Sequence, residues 1–165
     1  MAGTLIKAPG KFSALTSLRF VAAAMVVVTH SSGHFGIPQH FSYPFVLGQA
    51  VAFFFVLSGF ILAYVYPSLE RKDIGPFLRA RVARIWPAHL FCFVLFCFII
   101  SPFSAFSNLN SLLGVTGANL FLVHSWIPWP KVNGAFNAPT WSISAEWFFY
   151  LCFPFLIHRF ERNWP

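Results

Sequence analysis

Four groups of residues in this sequence stand where an apolar helix does not ordinarily carry them. Arg19 and His30 are eleven residues apart, three helical turns and a small remainder, so one helix face carries both over a rise of about 16 Å. A cation near one membrane boundary and a titratable imidazole deeper in are suited to proton transfer; a snorkelling arginine and a satisfied interfacial histidine fit the same spacing. Arg81 and Arg84, in Arg79-Ala-Arg-Val-Ala-Arg-Ile-Trp-Pro, lie at i and i+3. Forked guanidinium hydrogen bonds suit phosphates, and a plain positive anchor with Trp86 in an aromatic belt accounts for the pair equally well. Ser58 and Gly59 interrupt a lipophilic run, which permits close helix packing or the approach of a ligand to backbone. Glu146 stands in Trp141-Ser-Ile-Ser-Ala-Glu-Trp-Phe-Phe-Tyr, where a carboxylate must be neutral, paired or turned to a wet cavity. A histidine base, a carboxylate and inward cations together are the groups that activate a hydroxyl and hold a phosphate-bearing donor.

The elements that must position these groups follow from composition. Of 165 residues, 58% are hydrophobic, 20% aromatic and 9% charged, and Phe alone contributes 23. Too few charges remain to keep such a chain dispersed in water, so the bilayer is its natural solvent. The formal net charge of +7 does not indicate nucleic acid, because the cations collect at the ends of apolar runs instead of lining a polar groove. The three cysteines, Cys92, Cys97 and Cys152, lie inside apolar stretches without metal-like pairing, so no metal site is expected.

Four apolar runs read as full spans: residues 15–31, 45–66, 85–106 and 140–157. The second has 22 residues without a formal charge, about 33 Å of helix against a hydrocarbon core of about 30 Å. The third is expected to begin at Ile85 with Pro87 in its first turn, where a missing N–H is harmless. The first follows Lys7 and Lys11 and could pass for a signal peptide, but no small-residue cleavage site follows it. With the N-terminus cytoplasmic, the connection Pro67 to Arg84 and its five basic residues also fall inside, as the positive-inside rule demands. Residues 112–128 are diluted by Gly114, Thr116, Gly117, Asn119 and His124. If they do not cross, Arg159 and Arg162 land inside. The fold class is therefore all-α: a polytopic transmembrane helix bundle of four full spans plus one re-entrant or fifth span, in a single domain over 1–165.

The residues resemble the acyltransferase 3 family of multi-pass membrane acyltransferases. Leu15-Thr-Ser-Leu-Arg-Phe-Val-Ala-Ala through His30 resembles its opening arginine-to-histidine pattern, and Val51-Ala-Phe-Phe-Phe-Val-Leu-Ser-Gly-Phe-Ile-Leu its second helix. Arg81-Val-Ala-Arg-Ile-Trp-Pro and Pro139-Thr-Trp-Ser-Ile-Ser-Ala-Glu-Trp-Phe-Phe-Tyr resemble two further family segments, in the right order. The resemblance implies transfer of an acyl group, commonly acetyl, from acyl-CoA as donor substrate to a hydroxyl of a glycan or other cell-surface acceptor, in a bacterial plasma (inner) membrane. It implies His30 as catalytic base or acyl carrier and Glu146 as its orienting carboxylate from the outer side. Arg81 and Arg84 would receive the donor phosphates with Arg19 assisting at the cytoplasmic mouth, and Ser58 and Gly59 would line the passage. The resemblance covers the N-terminal half of the family's usual length, so an incomplete domain is expected. The alternative is a truncated, non-catalytic membrane protein or assembly partner; a transporter would need paired broken helices that the sequence lacks.

Overall fold

A computed structural model describes residues 13–35, 44–100, 106 and 108–163. Lys7, Lys11 and the connections at 36–43 and 101–105 lie outside the described residues. Every regular element among the described residues is helical: α1 (Ser13–Phe35), α2 (Pro44–Val65), α3 (Arg71–Ile100), α4 (Leu109–Leu120), the one-turn α5 (Pro130–Asn133) and α6 (Trp141–Asn163), with 3-10 turns at His124–Trp126 and Ala138–Thr140. The chain divides into two compact units, Met1–Pro67 and Ser68–Pro165.

In the first unit α1 packs on α2. Ala22 and Ala50 are buried with Leu57 and Leu62, while Phe20, Val27 and Val56 are exposed. Small residues inward and bulky apolar ones outward are the pattern of helices that associate in lipid.

In the second unit α3 and α6 run antiparallel. The stacked rings of Phe77 and Phe153, 5.5 Å apart, and the perpendicular indoles of Trp86 and Trp147, 5.8 Å apart, fix the register. On α3 the buried residues Phe77, Ile85, His89 and Phe93 recur at multiples of four, with Arg81 in the remaining place; the row winds about 40° per step, so Phe77 and Arg81 meet α6 while His89 meets Asn119 of α4 and Phe93 meets Phe136. That row explains a departure from expectation. The third helix begins at Arg71, not Ile85, and takes up all five basic residues of the expected connection. Phe77 needs helical geometry to reach Phe153, and Asp73 in the first turn suits the positive end of the dipole. Pro87 consequently sits about four turns inside, where the carbonyl of Ala83 loses its helical partner. The Glu70–Lys72 ion pair at this end, 2.7 Å long and largely exposed, contributes little.

Among the described residues two helices are long and apolar enough to cross a bilayer, α3 and the stretch Ala138–Arg159 leading through α6. Among the described residues α1 and α2 contain shorter apolar stretches, Ser17–Val28 and Gln49–Val65. α4 has 12 residues, about 18 Å of helix, and after it the chain turns through Leu122 at a φ of 57°. Non-glycine residues in that region cost about 1–2 kcal/mol, and Leu122 is fully buried, so packing holds it there. The partition of side chains is inverted relative to a water-soluble domain: Phe98 is 85% and Phe155 77% exposed, whereas His89 and His124 are 2% and 0% exposed.

Candidate functional site

The contact between α3 and α6 is built in layers, and two of them are polar. The first is centred on Tyr150, which is 1% exposed. The Arg81 guanidinium lies 5.4 Å from the ring centroid of Phe77 and 5.7 Å from that of Tyr150. Two aromatic faces of negative potential thus hold the cation, each contributing about 0.5–2 kcal/mol. On the other side the Tyr150 hydroxyl donates to Oε1 of Glu146, one helical turn earlier. Arg81 and Glu146 are half-buried, and Arg84 is exposed. Arg81 and Glu146, expected at opposite ends of the membrane, therefore meet at one tyrosine. Sequence alone misplaced them because it treated the Arg79–Arg84 stretch as a connection ending where a helix starts, whereas α3 carries Arg81 alongside α6.

The second polar layer lies two turns further along α3. His89 Nε2 is 2.9 Å from the carbonyl oxygen of Asn119. A carbonyl only accepts, so Nε2 bears the proton and Nδ1 of the neutral ring is left as an acceptor. Asn119 donates its amide to Val115 O at 3.1 Å. His124 Nε2 stands 3.3 Å from Thr140 Oγ1, whose hydroxyl donates to Asn137 O at 2.7 Å. Ser144, fully buried, donates to Leu122 O at 2.7 Å and accepts from Ser125 N–H at 3.2 Å, while the Trp126 indole N–H donates to Ser144 O at 3.0 Å. One serine on α6 thereby ties down the segment that follows α4, including the strained Leu122.

Beside this layer opens a cleft of about 1250 Å³ between α4 and the segment 127–136, bordered by Asn110, Ser111, Gly114, Trp129, Lys131 and Phe136. Its inner wall is aromatic: Phe136 lies 4.8 Å from Phe93 and 5.6 Å from Phe106, ring centroid to ring centroid. Phe136 is the second non-glycine residue at positive φ, 58°.

The other expected site residues belong to the first unit. Arg19 is half-buried and His30 exposed on α1. On α2 Ser58 is half-buried, and a Cβ placed on Gly59 would meet nothing within 4 Å. The structure thus joins Arg81 to Glu146 through Tyr150 and sets Arg84 apart at the surface. Among the described residues no three His, Cys, Asp or Glu side chains gather as metal ligands.

Sequence reasoning missed His89, Asn119, His124, Thr140, Ser144 and Tyr150. A signal existed for His89. It is an ionisable residue inside an apolar run, and it falls in the every-fourth row with Arg81 and Ile85. His124 was visible only as dilution of hydrophobicity, since its partners are brought by tertiary contact across 16 residues and more.

Comparison with known proteins comes to the same segments. The family profile described as an acyltransferase domain matches residues 12–165. The chain is 36% identical to "Acyltransferase MdmB" of Streptomyces mycarofaciens over 162 residues, covering 94% of this chain and 41% of that protein. It is 31% identical to "Protein 2 in picA locus" of Rhizobium radiobacter over 154 residues, 84% of this chain and 78% of that one. With the "O-acetyl transferase" of Shigella phage Sf6 it shares 26% identity over 150 residues, 86% of this chain and 44% of the phage protein. The chain thus spans less than half the length of the first and third relatives. No solved structure matches.

Proposed function

Because the chain belongs to the acyltransferase 3 family, we propose that it provides the donor-binding and base-bearing helices of a membrane acyltransferase. The enzyme moves an acyl group, acetyl foremost, from a CoA thioester to a hydroxyl of a sugar or other cell-surface acceptor. The observation that carries this reading is the first polar layer. A guanidinium is held half-buried against two aromatic faces in the longest apolar helix, its neighbour Arg84 lies free of that packing at the surface, and Tyr150 connects it to Glu146. Aromatic faces orient the plane of a guanidinium, and a planar fork held in one orientation matches the geometry of phosphate oxygens.

In this reading Arg81 and Arg84 receive the donor phosphates, with Arg19 assisting at the cytoplasmic mouth. His30 takes the proton of the acceptor hydroxyl as its oxygen attacks the thioester carbonyl carbon. The C–S bond then breaks, and the departing thiolate recovers the proton from the imidazolium. Glu146 acts through Tyr150 to position Arg81. Ser58 and Gly59 line the passage. The protein lies in a bacterial plasma membrane as a multi-pass bundle, N-terminus inside, with the re-entrant alternative for residues 112–128.

Membranes containing the full chain are tested with acetyl-labelled acetyl-CoA. Label transferred to membrane or surface glycan, and lost in His30→Ala, is the expected result. Full transfer by His30→Ala would remove histidine from the mechanism, and no transfer by the parent chain would favour the non-catalytic alternative.

A further inference from the structure

We propose that the cleft between α4 and the segment 127–136 is a water-filled recess at bilayer depth that binds a sugar chain of more than one ring against Trp129. The proposal rests on the acyl-transfer reading only in identifying this ligand as the acceptor.

Depth is the first argument. Phe136 stacks on Phe93 at 4.8 Å, and Phe93 lies within the uncharged stretch Ile85–Ile100 of α3. Between Phe121 and Thr140 the chain has only a four-residue helix and two 3-10 turns. Irregular backbone at such a depth persists only when it is buried in protein or borders water, because each unpaired peptide group in hydrocarbon costs several kcal/mol. Ser144 satisfies Leu122 O and Ser125 N–H on the protein side. Ile127, Trp129, Lys131 and Gly134 border the cleft; the N–H groups of Trp129 and Gly134 bond within the segment, to Ile127 O and Pro130 O, and it is the Lys131 ammonium that marks the cleft as the wet side. Lys131, exposed in that wall, requires water or an anion near its ammonium for the same reason.

The lining specifies the ligand. Trp129 is 66% exposed, presenting an indole whose apolar face suits the C–H face of a pyranose ring. Across the cleft Asn110 and Ser111, with Lys131, offer amide, hydroxyl and ammonium groups to ring hydroxyls. A cleft of about 1250 Å³ exceeds the roughly 300–1,000 Å³ that holds a drug-sized molecule, so a single ring leaves it partly filled. Leu122 and Phe136, both buried at positive φ, hold the two ends of the lining segment in fixed, costly conformations, as a pre-formed site requires.

The test uses the full chain in intact cells, with Cys92, Cys97 and Cys152 replaced by Ala. Gly114→Cys introduces a thiol where a Cβ meets nothing within 4 Å, and Ser111→Cys provides a second position if the first variant fails to fold. A membrane-impermeant sulfonated maleimide added outside is expected to label the thiol. Maltotriose at about ten times its Kd slows labelling about tenfold, glucose at equal concentration slows it less, and coenzyme A does not slow it. Trp129→Ala keeps the labelling and abolishes the protection. Absence of labelling, labelling only from the inner side, protection by coenzyme A, or indifference to maltotriose overturns the proposal. Labelling requires no turnover, so failure of the acetyl-transfer assay would not produce any of these results.

Discussion

The two polar layers between α3 and α6 are about 12 Å apart along the helix and solve the same problem in opposite ways. In the Arg81 layer a full charge is kept, half-buried, against two aromatic faces. In the His89 layer the five polar side chains, His89, Asn119, His124, Thr140 and Ser144, are all buried, and their hydrogen bonds go largely to carbonyls and N–H groups of the segment between α4 and α6. The difference separates two uses of polarity in an apolar medium. Ring quadrupoles orient a charge in an apolar medium, whereas neutral groups bonded to backbone fix a chain path that hydrophobic packing alone cannot specify.

The contrast can be broken at either layer. Arg81→Ala should remove a charge-assisted contact to the donor worth about 1.5–3 kcal/mol, roughly a tenfold to hundredfold rise in the acetyl-CoA concentration needed for half-maximal transfer. Thermal stability of the variant in detergent should also fall, by the two lost ring contacts of about 0.5–2 kcal/mol each. Ser144→Ala should affect stability without affecting the donor. It leaves Leu122 O and Ser125 N–H without their partner in a buried place, which costs about 1–3 kcal/mol. The melting temperature falls, and donor affinity in the folded fraction stays near that of the parent. Equal effects of the two substitutions on donor affinity would erase the distinction between the layers.

How much of this was legible before the structure depends on the range of the interaction. The helices containing Arg19, Ser58, Arg81 and Glu146 follow from apolar runs, of which those in α3 and α6 are long enough to cross a bilayer among the described residues. The start of α3 did not. A cluster of five basic residues resembles a loop by composition, and only the pairing of Phe77 with Phe153 across 76 residues makes it helix. Tyr150 was in view within the Glu146 segment, but its place under Arg81 depends on the register between α3 and α6. His124, Thr140 and Ser144 were less accessible still. Their hydrogen bonds join an irregular segment to α6, and no periodicity marks an irregular segment.

The smallest expected effect tests the point at which the Arg81 layer could be mistaken for the other kind. Tyr150→Phe keeps the ring beneath the Arg81 guanidinium and removes the hydroxyl that donates to Glu146. If Tyr150 is chiefly a structural bond, the loss is about 1 kcal/mol of stability, with donor affinity unchanged. If the tyrosine relays Glu146 to Arg81, donor affinity falls two- to threefold, about 0.5 kcal/mol, and in the parent background Glu146→Gln, which still accepts from the hydroxyl, keeps affinity near the parent value while Glu146→Ala lowers it. The layered geometry predicts the second pattern. A cation positioned by a ring is sensitive to the orientation of that ring, and the Tyr150 hydroxyl is anchored by its donation to Glu146 one turn earlier on the same helix.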